Sequence, residues 1–253
     1  MVSCLAANHR FVYEAMARYL DARLDVAVRF DSEHPWEECL EMLYDGRAQL
    51  GMLCGLPYAV QPLLQIVVAP VMKAPRYAGQ PVYFTDVMVR ADSRFRSFED
   101  LRGASWAYNE PNSHSGYNVV RAHLAHLGET SQFFSRIVAS GAHSQSLQML
   151  LRGEIDAVSL DTTFFDLEAQ ADPSLVDRVR VVQVLGPSPI QPFLAHRSVP
   201  EGLRLQMTEV LTQMHLEPFG QAILETLPVE RFVALTDADY DPIRVMLKAA
   251  ESV

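Results

Sequence analysis

Apolar residues along this chain follow two spacings, one helical and one of short continuous runs, and glycines separate them. Trp36, Leu40 and Leu43 recur at helical spacing around the segment 37–45, which predicts an amphipathic helix. Gly46 ends that helix because glycine tolerates the left-handed conformation of a helix cap. The continuous run "QLGMLC" follows at once and predicts a buried strand.

The segments Leu40–Tyr58 and Leu147–Phe165 repeat the same order of elements. Aligned without a gap, they share Leu, Met, Leu, Gly and Leu at matching positions. Each predicts a helix, a glycine stop, a buried strand and a loop with polar or aromatic side chains. Cys54 and Asp161 occupy the same aligned position, at the carboxyl end of a strand, where open α/β sheets bind ligands. The repeat therefore predicts two similar α/β lobes.

Further helices and strands alternate outside the repeat. The additional predicted helices cover residues 11–22, 115–127 and 203–214, and the additional strands cover 24–30, 82–90, 105–108 and 179–185. Such alternation predicts an α/β fold with mainly parallel sheets covered by helices. Two long strands, 82–90 and 179–185, bracket the middle of the chain and are predicted to be crossover strands that join the lobes. The predicted lobes are 1–85 plus 186–253, and an inserted 86–185.

Composition and charge limit the classes of function. The 253 residues are 49% hydrophobic and 21% charged, which suits two folded lobes. The formal net charge is -10 and no basic run exceeds two residues, so nucleic acid is not an expected partner. No segment has the length of a membrane span, and the first residues lack a signal-peptide pattern. We therefore expect either a cytoplasmic protein or an exported one whose signal segment is not part of this sequence.

The candidate chemistry lies in "YNEPNSHSGYN", residues 108–118. The order of strand, loop and helix directs the first backbone N–H groups of a helix beyond the strand end, which favours an anion. Ser113 and Ser115 add hydroxyl donors, and Gly116 lets a ligand approach the backbone closely. A plain helix N-cap formed by either serine explains the same residues equally well.

Catalysis and metal binding have less support. "SHS" is not a nucleophile elbow of the G-x-S-x-G type, and no Glu joins His123 and His126 in a zinc motif. The three cysteines are widely spaced and fit neither a disulfide framework nor a metal site. We expect no catalytic residues, no metal ion and no cofactor.

Four segments, in order, resemble a known family. "YNEPNSHSGYNVVRAHL" resembles the "DP-x-S-T-S-G-Y" segment of the phosphonate-type periplasmic solute-binding proteins of ABC importers. The other three are "LGMLCGLPYAV", "PVYFTDVMVRADSRFRSFEDLRG" and "SGAHSQSLQMLLRGEIDAVSLD". The resemblance is clear over residues 45–195. It implies a two-lobed type II periplasmic-binding-protein fold in which the ligand is held between the lobes.

The resemblance also implies a set of ligand-binding residues. Carried over position by position, they are Tyr58, Tyr83, Ser113, His114, Ser115, His143 and Asp161. Structural roles stay open for several of them, namely packing for the two tyrosines and helix capping for His143 and Asp161. The sequence departs from the family at His114 for Thr, Glu110 for Asp and Ala142 for Ser, which indicates a changed site.

We therefore expect a monomeric solute-binding protein, periplasmic or at the cell surface, that captures a phosphonate, phosphite or phosphate for an ABC transporter permease. Asp161 would accept a hydrogen bond from a ligand P–OH and so favour protonatable phosphorus oxyanions over sulfate. Cys54 could instead bind a soft oxyanion such as arsenite. Two alternatives remain: a ligand-sensing module for a membrane kinase, and a cytosolic enzyme of thiamine-precursor synthesis on the same fold.

Overall fold

Ten strands form two separate five-stranded sheets in the computed structural model, which describes residues 1–253. The chain divides into two units. Unit 1 comprises Met1–Val82 and Pro189–Asp241, and unit 2 comprises Tyr83–Ser188 and Pro242–Val253. The chain therefore passes between the units three times. The sequence-based division instead kept all of 186–253 in the first lobe.

Unit 1 is built on a sheet with the strand order β1-β2-β9-β3-β10. Its strands are β1 Val2–Ser3, β2 Leu50–Met52, β3 Leu64–Met72, β9 Phe193–His196 and β10 Val229–Val233. Its helices are α1 Arg10–Asp21, α2 Trp36–Asp45, α3 Gly55–Val60, α8 Glu201–Gln213 and α9 Pro218–Glu225. The core is fully buried around Leu20, Leu43, Val68 and Phe193, so the helices cover the apolar sheet faces.

Unit 2 has a sheet with the strand order β6-β5-β7-β4-β8. Its strands are β4 Val82–Arg90, β5 Ser105–Tyr108, β6 Arg136–Ala139, β7 Ala157–Asp161 and β8 Val179–Pro189. Its helices are α4 Val119–His126, α5 His143–Leu151, α6 Thr162–Ala171, α7 Leu175–Arg178 and the C-terminal α10 Asp241–Ala250. The core is built around Val87, Phe98, Trp106 and Leu124.

The C-terminal segment belongs to unit 2 because it completes that core. Met246 and Val253 pack against the apolar cluster around Trp106. The Arg121 guanidinium donates a hydrogen bond to the Ala250 carbonyl at 2.6 Å, at the end of α10. None of the helices combines the length and the apolar character that crossing a membrane demands.

The predicted repeat is confirmed in the structure. Gly46 and Gly153 follow helices α2 and α5 with φ of 81° and 72°, the left-handed region that glycine tolerates. Strands β2 and β7 come next, and each lies between one parallel and one antiparallel neighbour. Cys54 and Asp161 are then the N-cap residues of α3 and α6.

Two details of the sequence prediction are wrong. Residues 24–30 form no strand: Val26 is 43% exposed, and the Val28 amide donates to the Asp21 carboxylate rather than to a neighbouring strand. The sheets are mixed rather than mainly parallel, since β9 runs antiparallel to β2 and β3, and β4 runs antiparallel to β7. An apolar pattern indicates that a strand is buried but not the direction in which it runs.

Candidate functional site

Three helical segments begin at the same edge of the unit 2 sheet. The strands β6, β5 and β7 are adjacent and parallel, so their carboxyl ends lie together. A π-helical turn, His114–Asn118, follows β5 and leads into α4, while α5 follows β6 and α6 follows β7. The first N–H groups of each segment have no carbonyl partner within their own helix, and the helix dipole favours negative charge there. This edge is therefore suited to an anion.

The π-turn is capped by a serine of the candidate cluster. Ser113 is the N-cap, and its Oγ accepts a hydrogen bond from the Gly116 amide at 3.0 Å. The capping role that the sequence left open is thus observed. A hydroxyl that accepts one hydrogen bond still carries a proton to donate, so capping does not prevent Ser113 from binding a ligand. Single π-turns occur frequently at functional sites.

Hydroxyl groups on neighbouring strands hold the carbonyls of this turn. Thr85 on β4 donates to the Ser115 carbonyl at 3.1 Å, and Ser159 on β7 donates to the Gly116 carbonyl. The Trp106 indole in turn donates to the Ser159 hydroxyl at 3.1 Å. The turn is therefore fixed to the sheet through groups that are all buried.

His114 is the most deeply buried residue of the candidate cluster, with no exposed surface. Its Nε2 lies 2.9 Å from the Ser188 Oγ, and its Nδ1 lies 3.1 Å from the Asn118 Nδ2. Burial lowers the pKa of the imidazole to about 3, so the ring is neutral at physiological pH. Both ring nitrogens of His114 therefore face side chains of unit 2.

Ser115 and His143 are brought together from separate elements. The Ser115 Oγ lies 3.4 Å from the Nε2 of His143, the first residue of α5. The His143 ring stacks on Phe164 of α6, with centroids 5.5 Å apart, which orients the imidazole. The α5 N-cap is Ala142, which offers no side-chain hydrogen bond to the helix.

Asp161 caps α6, the structural alternative that the sequence left open. Its Oδ1 accepts hydrogen bonds from the Thr163 amide at 2.7 Å, the Thr163 hydroxyl at 2.7 Å and the Phe164 amide at 3.4 Å. Asp161 also pairs with Thr85 across the β4–β7 ladder. It therefore lies at the same sheet edge as the π-turn.

The two tyrosines lie in different units. Tyr83 is the first residue of unit 2, fully buried, with its ring 6.4 Å from that of His114. Tyr58 belongs to unit 1, where its hydroxyl donates to the Asp237 carboxylate at 2.8 Å and its ring contacts Tyr240 edge-on at 4.9 Å. All of the predicted ligand-binding residues except Tyr58 lie in unit 2.

Several residues that shape this edge were missed from the sequence. They are Thr85, Asn109, Asn118, Ser159, Thr163 and Ser188. Thr85 and Ser159 are small hydroxyl residues within strands that are mostly apolar, and that pattern was the available signal. Asn109 directly follows β5, and its buried Oδ1 lies against Gly116 so closely that a Cβ there would be 1.7 Å away.

Comparison with known proteins agrees with this architecture. PhnD1 from Prochlorococcus marinus in complex with methylphosphonate superposes with a TM-score of 0.83 at 15% identity, covering 100% of this chain and 98% of that chain. A binding protein component of an ABC phosphonate transporter from Pseudomonas aeruginosa gives 0.84 at 15%, covering 99% and 85%. XAC2383 from Xanthomonas citri bound to ATP gives 0.76 at 16%, covering 99% and 96%. At these identities the likeness shows the type II periplasmic-binding-protein fold.

The sequence itself shows the family. Residues 8–240 match the family model described as "ABC transporter, phosphonate, periplasmic substrate-binding protein". Members of this family bind substrates for a membrane transporter and are not enzymes. The chain belongs to the family of periplasmic substrate-binding proteins of ABC phosphonate transporters.

Proposed function

We propose that this protein binds a small phosphorus oxyanion, in first place a phosphonate, at the sheet edge of unit 2 and delivers it to an ABC importer. The observation that carries the proposal is the convergence of three helical N-termini with the side chains of Ser113, Ser115 and His143. The family supports this ligand class, and a relative of the same fold is described in complex with methylphosphonate.

The donors at this edge fit a tetrahedral anion. Two serine hydroxyls and the backbone N–H groups at the starts of the π-turn and α5 can donate to oxygens that carry negative charge, and buried donors of this kind act strongly. The Thr163 and Phe164 amides of α6 already donate to Asp161. Asp161, in contrast to these donors, is a hydrogen-bond acceptor. Its carboxylate would accept a hydrogen bond from a protonated P–OH, which sulfate lacks at neutral pH.

The proposal also covers the protein's partner, its oligomeric state and its location. We assign delivery to a transporter permease rather than to a sensor kinase, because the family is one of importers. The protein acts as a monomer in the periplasm or at the cell surface. Tyr58 and Tyr83 remain proposed ligand contacts.

A ligand panel tests the proposal. Calorimetry and thermal denaturation with methylphosphonate, phosphite, phosphate and sulfate should show a phosphorus oxyanion binding at least tenfold more tightly than sulfate. A ligand at 100 times its Kd stabilises the folded state by about 2.7 kcal/mol, which shifts Tm by a few degrees. Absence of binding by all four anions, or a preference for sulfate, would contradict the proposal.

Asp161→Asn separates ligand selection from helix capping. Asparagine caps helices as well as aspartate, and its Oδ1 can accept the same hydrogen bonds from Thr163 and Phe164. We expect the preference for methylphosphonate over sulfate to fall about tenfold, which corresponds to one charge-assisted hydrogen bond, with Tm nearly unchanged. Calorimetry with both anions measures the ratio of the two affinities.

Asp172→Asn, on the exposed end of α6, is the matched control. An unchanged ratio in Asp161→Asn would remove the carboxylate from the ligand site.

A further inference from the structure

We propose that His114 is a positioning residue and not a ligand donor: held between Ser188 and Asn118, it fixes the π-turn so that Ser113 and Ser115 face the ligand. The inference rests on the proposed function, because it assigns a role within the same site. It replaces the sequence-based expectation that the His114 side chain itself contacts the ligand.

Both ring nitrogens of His114 are already engaged inside unit 2. Nδ1 faces the side-chain amide of Asn118 at 3.1 Å, and Nε2 faces the Ser188 hydroxyl at 2.9 Å. With the Asn118 amide in this orientation its nitrogen donates, so Nδ1 accepts and the ring proton lies on Nε2. The imidazole is therefore the Nε2–H tautomer and donates to Ser188.

The three residues that begin the turn are bonded to three different strands. Gly116 is bonded to β7 through Ser159, Ser115 to β4 through Thr85, and His114 to β8 through Ser188. These strands follow one another in the sheet order β5-β7-β4-β8. From Gly116 back to His114, each residue is thus bonded to a strand one position farther from β5, the strand that precedes the turn.

The length of the side chain explains why a histidine serves at this position. Backbone carbonyls suffice for the contacts with β7 and β4, whereas the contact with β8 uses Nε2, the far atom of an imidazole. The hydroxyl of a threonine, the residue of the resembling family segment, lies on Cβ and has a much shorter reach. Compared with threonine, His114 therefore lacks a short side-chain donor near the ligand but makes a buried hydrogen bond to β8.

Such an attachment affects binding through preorganisation. A turn that is fixed before the ligand arrives loses less conformational freedom on binding. If the contact with Ser188 is removed, the buried imidazole N–H loses its acceptor and the turn is free to shift. The ligand donors that remain in the unit 2 cluster are Ser113, Ser115 and His143.

The test compares variants of the full chain by calorimetry with methylphosphonate and by urea denaturation. Ser188→Ala should weaken binding about fivefold, the effect of one neutral hydrogen bond. Ser105→Ala is the control, at the opposite, amino end of β5, where the Ser105 hydroxyl donates to the Asp156 carboxylate at 2.6 Å, and it should lower stability without changing Kd. His114→Gln keeps an N–H at the end of a long side chain and should stay within about twofold of the parent affinity.

The single variants decide between positioning and direct contact, and the double variant shows whether their two effects come from one hydrogen bond. His114→Ala combined with Ser188→Ala should bind no more weakly than His114→Ala alone, because both changes remove the same hydrogen bond. The inference is overturned if His114→Ala weakens binding about a hundredfold while Ser188→Ala has no effect, the result expected for direct contact with the ligand.

The tautomer gives a second measurement that does not depend on the ligand. Nitrogen-15 NMR of the ligand-free protein should show His114 protonated at Nε2 and neutral, and Nδ1 protonation would overturn the inference. If no anion of the panel binds the parent protein, the proposed function fails, and the tautomer and the stability of Ser188→Ala still decide whether the attachment exists.

Discussion

Lowering the pH from 7 to 4.5 is expected to remove about 5 kcal/mol of stability through two histidines whose ring nitrogens are buried, roughly half through each. Burial lowers the pKa of His9 to about 4 and that of His114 to about 3. His9 belongs to unit 1 and His114 to unit 2, so both units become less stable in acid. The half-buried His123, whose pKa burial also lowers, adds to the effect in unit 2.

The sign follows from proton uptake. In the unfolded chain a histidine binds a proton below about pH 6.5, whereas the buried rings stay neutral until the pH approaches their lowered pKa. Stability from these groups is therefore complete above pH 6.5 and is lost as the pH falls toward 4. Both ring nitrogens of His9 are buried without a hydrogen-bond partner, so protonation there would place an uncompensated charge in the interior.

Urea denaturation at several pH values measures this effect. His114→Asn should flatten the pH dependence by about half between pH 7 and 4.5, whatever its effect on stability at pH 7. Gly202→Ala, at an open position of α8, changes no titratable group and should leave the slope unchanged. A pH dependence that survives the replacement of both His9 and His114 would show that other groups control acid stability.

Gly116→Ala is expected to weaken oxyanion binding about a hundredfold, the upper end of what overpacking a site costs. A Cβ at this position would lie 1.7 Å from the Asn109 Oδ1 and 3.1 Å from the Ser113 Oγ that caps the turn. Asn109 is almost fully buried, so its amide can move only if the start of the turn moves with it. The displaced groups include the serine donors of the proposed site.

The clash itself can be tested by relieving it. Asn109→Ala removes the obstructing oxygen, so the double variant Gly116→Ala with Asn109→Ala should recover most of the lost affinity in calorimetry. Gly202→Ala is the control, because a Cβ at that position of α8 meets nothing within 4 Å. Unchanged binding by Gly116→Ala would show that the turn does not hold the ligand.

Local patterns predicted the elements of the site better than its contacts. The strand Ser105–Tyr108, the serine cap and the aligned positions of Cys54 and Asp161 follow from residues close in sequence, and all are observed. The role of His114 depends instead on Ser188, 74 residues later in the chain. Without the sheet order, no pattern in "SHSG" distinguishes a side chain that faces a ligand from one buried toward β8.

The prediction for residues 24–30 was wrong for a related reason. Alternating valines satisfy the strand spacing, but a strand also needs a neighbour with free backbone groups. The edge strand of the unit 1 sheet nearest this segment is β1, which covers only Val2–Ser3 and pairs with β2 on its other side. The Met1 amino group donates to the Arg29 carbonyl and the Asp31 amide donates to the Met1 carbonyl, both at 2.8 Å, so the pairing of the segment with this edge is limited to Met1.

The return of the chain to unit 2 after Asp241 bears on synthesis and on fragment design. Met246, Val253 and the carbonyl of Ala250 complete the surroundings of Trp106 and Arg121. During translation, residues 83–188 emerge early but lack this cover until the Pro242–Val253 segment leaves the ribosome. Unit 1 needs residues up to Asp241, so neither unit can finish folding during most of synthesis, although domains often fold from the N-terminus onward. For the same reason, an excised fragment of residues 83–188 would expose part of its core.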